Sequence, residues 1–216
     1  MTETFRRWIL WIAAAPAFAA GCSSAPGFRP LLTDSDLKGW TEVGSSGAWS
    51  YRDGVLRCDG KKDGYAWLST DRKYGDFVLS LEWRIGPGAN TGVFCRVPSR
   101  EGRASMTGFE VQIADDAGAK NPTERTGSIF NRVANPTPVA QLLGEWHRYE
   151  ITCRGSRLRL VCDGHQLIEL DMAEVPVDPA NLPALRDVPA EGFIGLQNHG
   201  TPAEFRNIRI RELGRP

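Results

Sequence analysis

Short runs of alternating apolar and polar residues, each ended by a turn signal, recur along most of this chain. In the run FVLSLEWRI at 77–85, the side chains of Phe77, Leu79, Leu81 and Trp83 fall on one face of a strand, because successive residues of a strand point to opposite sides. Asp-Gly and Gly-Ser pairs between the runs are typical of two-residue hairpin turns. No amphipathic helix of any length and no internal repeat stands out. The pattern predicts an all-β sandwich in which strands with one apolar face pack sheet on sheet.

Residues 1–22 are predicted to be a lipoprotein-type signal peptide. Arg6 and Arg7 precede an apolar run over 8–20, and small residues follow up to Cys22. The run is too short, and too interrupted by Ala and Pro, for a stable membrane-spanning helix. The end of the segment, AAGC, resembles a bacterial lipobox in which the Cys becomes the lipidated first residue. A plain secretory signal with an incidental Cys is the alternative.

These features predict an exported, periplasmic lipoprotein. Ser23 and Ser24 lack the Asp that commonly retains lipoproteins at the inner membrane, so the outer membrane is favoured. Residues 23–30 are expected to form a tether and residues 31–214 one folded domain of ordinary size. The 26 Lys plus Arg residues balance the 26 Asp plus Glu residues, which leaves no basic footprint for nucleic acid. We therefore expect contact with the membrane only through the lipid anchor.

The cysteines after residue 22 do not form an obvious disulfide pattern. If Gly155-Ser156 is a two-residue turn, Cys153 pairs with Leu158 and Cys162 pairs with Tyr149. The sulfurs of Cys153 and Cys162 then lie too far apart to bond. No CxxC spacing indicates a zinc site. Buried free thiols are the preferred state of all four: Cys58, Cys95, Cys153 and Cys162.

Several predicted strands carry an unusual set of polar side chains on their outward faces. The alternation assigns these residues to outward faces: Glu82 with Arg84, Phe94 with Arg96, Glu110 with Gln112, and Gln197 with His199. Their polar groups give the planar and bidentate hydrogen bonds that sugar hydroxyls need. A carboxylate and a histidine on one face also offer an acid–base pair. If the strands are neighbours in one sheet, they form one sugar groove; the alternative is a solvated face of ion pairs.

Other candidate residues have a structural explanation that competes with a functional one. His147 and His165 are interpreted as structural or surface residues, and Asp115 and Asp116 as the start of a turn rather than as cation ligands. A sugar-stacking platform is conceivable among five tryptophans, most of which we expect in the core: Trp40, Trp49, Trp67, Trp83 and Trp146. Motifs of serine hydrolases, zinc proteases and nucleotide-binding proteins are absent from the sequence.

Ten motifs in order resemble the 3-keto-disaccharide hydrolase family over nearly all of residues 30–213. The motifs are LLTDSDLKGW, WSYRDGVLRC, WLSTDRKYGDFVLSLEWRI, GANTGVFCRV, GFEVQIAD, TGSIF, GEWHRYEI, DG, GFIGLQNHG and FRNIRIREL. The resemblance implies a concanavalin A-like jelly roll, in agreement with the alternating strands. It also implies a carbohydrate-active enzyme that cleaves or hydrates 3-keto-glycosides, which are sugars already oxidised at carbon 3.

The implied chemistry needs a base, an acid and donors to an enolate oxygen. A ketone at C3 acidifies the hydrogen at C2; a base removes it, and the enolate expels the group at C1 to leave a 3-keto-2-hydroxy-glycal that water can hydrate. On this chain the resemblance implies His199 or Glu110 as the base, with the other as the acid or as a ligand of sugar hydroxyls. Further roles are enolate stabilisation by Arg96 and Gln112, ring positioning by Asn90 and Gln197, and support by Glu82 and Arg84. No cofactor is expected, and a divalent cation is left open.

A non-catalytic carbohydrate-binding lipoprotein module is the alternative from another functional class. Jelly rolls host many lectins, and a fold does not determine a function. A lectin groove depends on exposed aromatic rings and needs no acid–base pair. The grouping of His199 with Glu110 on outward faces therefore favours the enzyme, with an oxidised saccharide as its substrate.

Overall fold

The structure is a computed structural model of the chain, and it describes residues 27–33, 36–137, 139, 143–177 and 183–214. The predicted signal peptide, the lipidation at Cys22 and the first half of the predicted tether, residues 23–26, lie outside these residues. Within the described ranges, no helix is long and apolar enough to cross a membrane.

Two antiparallel sheets form the described part of the chain. The strands are β1 (Arg29–Pro30), β2 (Trp40–Val43), β3 (Trp49–Arg52), β4 (Val55–Cys58), β5 (Ala66–Thr70), β6 (Phe77–Ile85), β7 (Asn90–Val97), β8 (Phe109–Ala114), β9 (His147–Arg154), β10 (Arg157–Cys162), β11 (His165–Asp171), β12 (Phe193–Asn198) and β13 (Ala203–Glu212). The larger sheet has the order β11-β10-β9-β6-β13-β4-β3 with β1 beside β13, and the smaller has the order β2-β5-β12-β7-β8. The predicted all-β, jelly-roll sandwich is confirmed.

The core lies between the two sheets, where the alternating strands place their apolar side chains. Phe77, Leu79, Leu81 and Trp83 of β6 are all at most 1% exposed, and burial of each contributes roughly 1.5–3 kcal/mol. Tyr149 of β9 crosses this core and donates its hydroxyl to the backbone carbonyl of Gln112, 2.9 Å away. This bond ties the larger sheet to β8, the strand that carries two of the candidate site residues.

A second, smaller apolar cluster covers part of the outer face of the smaller sheet. It contains Trp67, Phe94 and Val97, with Ala104 from the short helix α1 (Ala104–Thr107) between β7 and β8. The rings of Trp67 and Phe94 meet edge to face with centroids 5.7 Å apart. The β7–β8 connection therefore closes one part of this face and leaves the rest open.

The turns and cysteines agree with the sequence-based expectations. Cys153 pairs with Leu158, and Cys162 pairs with Tyr149 across the β9–β10 hairpin. The four described cysteines are buried and free, so the preference for free thiols is confirmed. Residues 53–54 and 163–164 all have positive φ, as a two-residue type I′ turn requires.

The N-terminal boundary and the long connections carry more structure than predicted. Strand β1 pairs with Ile210 and Arg209 of β13, so residues 29–30 belong to a sheet rather than to the tether. The connections that follow β8 and β11 contain short 3₁₀ helices at Pro122–Glu124 and Leu185–Asp187. Their termini are satisfied by local hydrogen bonds.

Asp115 and Asp116 organise the loop that follows β8, as the turn interpretation predicts. An Asp115 carboxylate oxygen accepts from the Gly88 amide at 2.8 Å, and one of Asp116 accepts from the Thr126 amide at 2.7 Å. Among the described residues, no three His, Cys, Asp or Glu side chains are grouped so that they could hold a metal ion.

Candidate active site

A cleft of about 500 Å³ opens on the outer face of the smaller sheet. Five of the predicted site residues line it: Asn90, Glu110, Gln112, Gln197 and His199. The other lining residues are Lys62, Gly64, Tyr65, Arg103, Ser105, Phe130 and Asn198. Its volume is that of a small-molecule site.

Strand register brings the five predicted residues together. Strands β12, β7 and β8 are neighbours, with Gly92 opposite Gln112 and Phe94 opposite Glu110. Val93 and Cys95 lie in the core between the sheets, so Gly92 and Phe94 face outward beside Gln112 and Glu110. The alternation thus determines which side chains face the cleft.

Glu110 is buried without a partner. It is 2% exposed, and neither carboxyl oxygen has a hydrogen-bond partner among the described residues. Desolvation by burial raises the pKa of Glu110 to about 8, although the positive charge of Arg103 acts in the opposite direction. A buried polar group normally has a partner. An unpaired carboxyl group at the wall of a cleft therefore marks a functional site.

His199 lies directly after β12, at the rim of the cleft, and it is exposed. Partial desolvation, followed by the charges of Lys62 and Arg103, lowers the pKa of His199 below its ordinary 6.5. The neighbouring Asn198 holds this turn, because its amide donates to the Lys61 carbonyl at 2.8 Å and its oxygen accepts from the Gly200 amide at 3.1 Å. A neutral imidazole is therefore presented to the cleft near pH 7.

Three carboxamides form the floor between Glu110 and His199. Gln112 donates its amide to the side-chain oxygen of Asn90 at 3.3 Å. The side-chain oxygens of Gln112 and Gln197 are buried and have no partner in the described structure. They are free to accept hydrogen bonds from the hydroxyl groups of a ligand.

Sequence reasoning missed the cleft residues that come from loops. Tyr65 accepts at its hydroxyl from the Ser105 amide at 3.2 Å, and the Arg103 guanidinium lies 5.5 Å from the centre of the Tyr65 ring. Lys62 and Arg103 form no ion pair within the described ranges. Strand periodicity carries no signal for such residues. A Lys-Lys-Asp-Gly-Tyr stretch before a strand reads as an ordinary polar loop.

Arg96 does not face the cleft, and its predicted place beside Phe94 is wrong. The register between β7 and β12 shifts near this residue, which has a φ of +54°. This bulge turns Arg96 inward, where it donates to the Gly155 carbonyl at 2.7 Å and forms an ion pair with Asp76 at 3.2 Å. Arg96 therefore binds the β9–β10 turn and the residue that precedes β6, rather than a ligand in the cleft.

Glu82 and Arg84 also lie outside the cleft, because β6 belongs to the larger sheet. Glu82 accepts from Arg206 at 2.6 Å, and Arg84 donates to Glu204 at 2.6 Å. The alternative interpretation, a solvated face of ion pairs, is correct for this strand. Alternation identifies one face of a strand but not the sheet to which the strand belongs.

Neither of the other two histidines and none of the described tryptophans lines the cleft. His147 hydrogen-bonds through Nδ1 to Asp163 at 2.7 Å and packs on Trp83 with ring centroids 4.7 Å apart, which is a structural role. His165 is exposed on β11. Among the described lining residues the aromatic ones are Tyr65 and Phe130.

Comparison with known proteins relates the chain to carbohydrate-active proteins. Residues 27–211 match the family described as the 3-keto-alpha-glucoside-1,2-lyase-like domain. The chain is 23% identical over 230 residues to the 3-keto-disaccharide hydrolase of Bacteroides thetaiotaomicron, with 88% of this chain and 79% of the relative covered.

Solved structures share the fold. A crystal structure described as a candidate glycosyl hydrolase from Parabacteroides distasonis has a TM-score of 0.74 at 28% identity and covers 86% of this chain and 99% of its own. The carbohydrate-binding module CBM66 of Bacillus subtilis has a TM-score of 0.55 at 15% identity, with 81% of this chain and 96% of that chain covered. At that identity the likeness to the module concerns the fold alone.

Proposed function

The chain belongs to the 3-keto-alpha-glucoside-1,2-lyase-like domain family, and we propose that it cleaves 3-keto-glycosides by removing the C2 proton and eliminating the group at C1. The observation that supports this most is the unpaired, buried carboxyl group of Glu110 in the same cleft as His199. The named relative, a 3-keto-disaccharide hydrolase, supports the substrate class. Non-catalytic sugar binding is the alternative.

The opposite directions of the two pKa shifts support an assignment of the acid and the base. Between the lowered pKa of His199 and the value of about 8 for Glu110, the imidazole is neutral and the carboxyl group carries a proton. Two titratable groups whose environments push their pKa values apart are typical of an acid–base pair. We assign His199 as the base at C2 and Glu110 as the acid.

In the elimination, the bonds that form and the bonds that break balance without a further reactant. Water is needed only for the later hydration. His199 takes the C2 proton, the C2–H electrons form a C2=C3 enolate, and Glu110 donates a hydrogen bond to the C3 oxygen as its charge develops. The C3 carbonyl re-forms, a C1=C2 double bond appears and the C1–O bond breaks. The leaving oxygen takes a proton from the histidinium, and water can later add across C1=C2.

The cleft residues around the pair support this assignment. Strand β7 separates β8 from β12, so Glu110 and His199 line the same cleft from the two sides of this central strand. Gln112 and Gln197 offer free acceptors for its hydroxyl groups. Arg103 and Lys62 supply the positive charge that favours an enolate, a role that the family resemblance implied for Arg96 with Gln112.

Turnover of 3-keto-glucosides with a chromogenic aglycone, in α and β forms, tests the proposal. The unoxidised glucosides serve as substrate controls, and a chelator arm tests for a metal requirement. We expect release from the keto sugar alone, lost in Glu110→Ala, which removes the donor to the C3 oxygen, and retained in Glu82→Ala, which makes the same chemical change on the other sheet. Sugar binding without release from any keto-glycoside would contradict the proposal and support a binding module.

A further inference from the structure

We propose that Gly92 is a positioning residue, and that its missing side chain creates the space in which the Glu110 carboxyl group is buried. Gly92 lies inside β7, opposite Gln112 and two positions along the strand from the pair of Phe94 with Glu110. The effect of Gly92 on turnover rests on the proposed function, whereas its effect on the position of the Glu110 carboxyl group does not.

The geometry is specific to one neighbour. A Cβ atom at Gly92 would lie 2.4 Å from Oε1, 2.8 Å from Cγ and 3.0 Å from Cδ of Glu110. These are its three nearest heavy atoms beyond the adjacent residues, and the two shortest contacts are closer than Cβ atoms approach other atoms in proteins. The Glu110 side chain therefore occupies the volume that any other residue at 92 would need.

Backbone conformation does not explain the glycine. Gly92 is not among the glycines with positive φ, so an L residue could adopt its conformation. Glycine inside a strand is less favourable than alanine, and it often marks a site of close approach. The space that the Glu110 side chain needs is the physical reason that remains for a glycine at position 92.

A side chain at 92 would change the chemistry of the carboxyl group as well as its position. The charged or titratable groups around it in the cleft are Arg103 and Tyr65, with Lys62 and His199 at the rim. Displaced from beside β7, the Glu110 carboxyl must move toward the open cleft, where water stabilises its charged form. The pKa of Glu110 then falls, and the acid loses its proton at neutral pH.

The test is a double-mutant cycle on the full chain with Gly92→Ala, Glu110→Ala and the double variant. We expect Gly92→Ala to lower Tm in the wild-type background but to leave it unchanged or raise it in the Glu110→Ala background, where the clashing atoms are gone. Gly86→Ala is the matched control, because Gly86 has ordinary φ and nothing within 4 Å of a Cβ atom.

Two further readouts separate positioning from general stability. A carboxyl-carbon NMR titration should show the pKa of Glu110 lower in Gly92→Ala than in the wild type. If the wild type turns over 3-keto-glucosides, kcat should fall at least tenfold in Gly92→Ala with little change in KM, and the alkaline limb of the pH profile should move to lower pH.

Each outcome decides the proposal. Additive Tm changes, or an unchanged Glu110 titration, would overturn it even if no substrate is ever turned over. If Gly92→Ala does not fold, recovery of folding in the double variant supports the proposal, and failure to recover overturns it. Absence of wild-type turnover together with a non-additive cycle would refute the proposed function but not the positioning role.

Discussion

Replacement of Glu110 by Gln should change how the stability of the protein depends on pH. Gln preserves the shape of the side chain and removes its titration. Burial raises the pKa of Glu110 from 4.5 to about 8 in the folded protein, whereas the unfolded chain exposes the carboxyl group to water. Folding therefore opposes ionisation of this one side chain.

The sign and size follow from linkage. Between pH 4.5 and about 8 the folded state retains a proton that the unfolded state releases, so the free energy of unfolding falls as pH rises. The difference between 4.5 and about 8 corresponds to up to about 5 kcal/mol, at roughly 1.4 kcal/mol for each pH unit. Below pH 4.5 ionisation of Glu110 costs no stability, and above the pKa of Glu110 in the folded state the full cost applies.

The assay is urea denaturation of the wild type and Glu110→Gln at several pH values from 4.5 to 9. The difference between the two isolates Glu110, because both proteins share every other titrating group. We expect the free energy of unfolding of Glu110→Gln to rise relative to that of the wild type with increasing pH and to level off above pH 8.

Parallel stability curves over this range would refute the reasoning, because they would mean that Glu110 titrates alike in the folded and unfolded states. A difference that grows toward acid pH would refute it more strongly, since that slope belongs to a carboxylate stabilised in the folded state. Glu82→Gln is the control: Glu82 is ion-paired with Arg206 at the surface of the other sheet.

The remaining predictions concern the proposed base, the cations of the cleft, the inward-facing arginine and the predicted lipid anchor. His199→Ala should lower kcat by about 10²–10⁴-fold without loss of stability, because its side chain is exposed. Lys62→Ala with Arg103→Ala should raise the pKa of His199, measured by NMR, because both charges lower it. Arg96→Met should reduce the free energy of unfolding by about 3–5 kcal/mol, measured with urea, since it breaks a buried ion pair. Cys22→Ser should move the protein from the membrane fraction to the soluble fraction of cells.

The alternation of apolar and polar residues was sufficient to predict the fold and the side chains along one wall of the cleft. Strict alternation over 109–114 places Glu110 and Gln112 opposite the core residues of the same strand, and the same argument places Gln197 on β12. A hydrophobic period of two determines a face wherever the strand is regular. Regular strands are therefore the part of the site that one sequence can predict.

The errors have two physical origins. Arg96 is misplaced because a bulge reverses the alternation, and the space for that bulge comes from the residue just before β12: a Cβ atom at Gly192 would lie 2.2 Å from the Arg96 carbonyl carbon. Glu82 and Arg84 are misplaced because the sequence does not say which sheet contains β6. Tyr65 and Arg103 come from loops, whose positions depend on contacts distant in sequence.

The unpaired polar atoms of the described structure argue that the cleft is built for a ligand. Ten buried side-chain nitrogen and oxygen atoms lack a partner, and four of them, on Glu110, Gln112 and Gln197, line this one cleft. Each such atom costs about 1–3 kcal/mol when it stays unsatisfied, so their concentration at one place destabilises the free protein. Hydroxyl groups of a bound sugar would satisfy the amide oxygens, and its C3 oxygen would accept a hydrogen bond from the protonated Glu110. A ligand that presents donors and one acceptor in the same arrangement therefore offsets this cost.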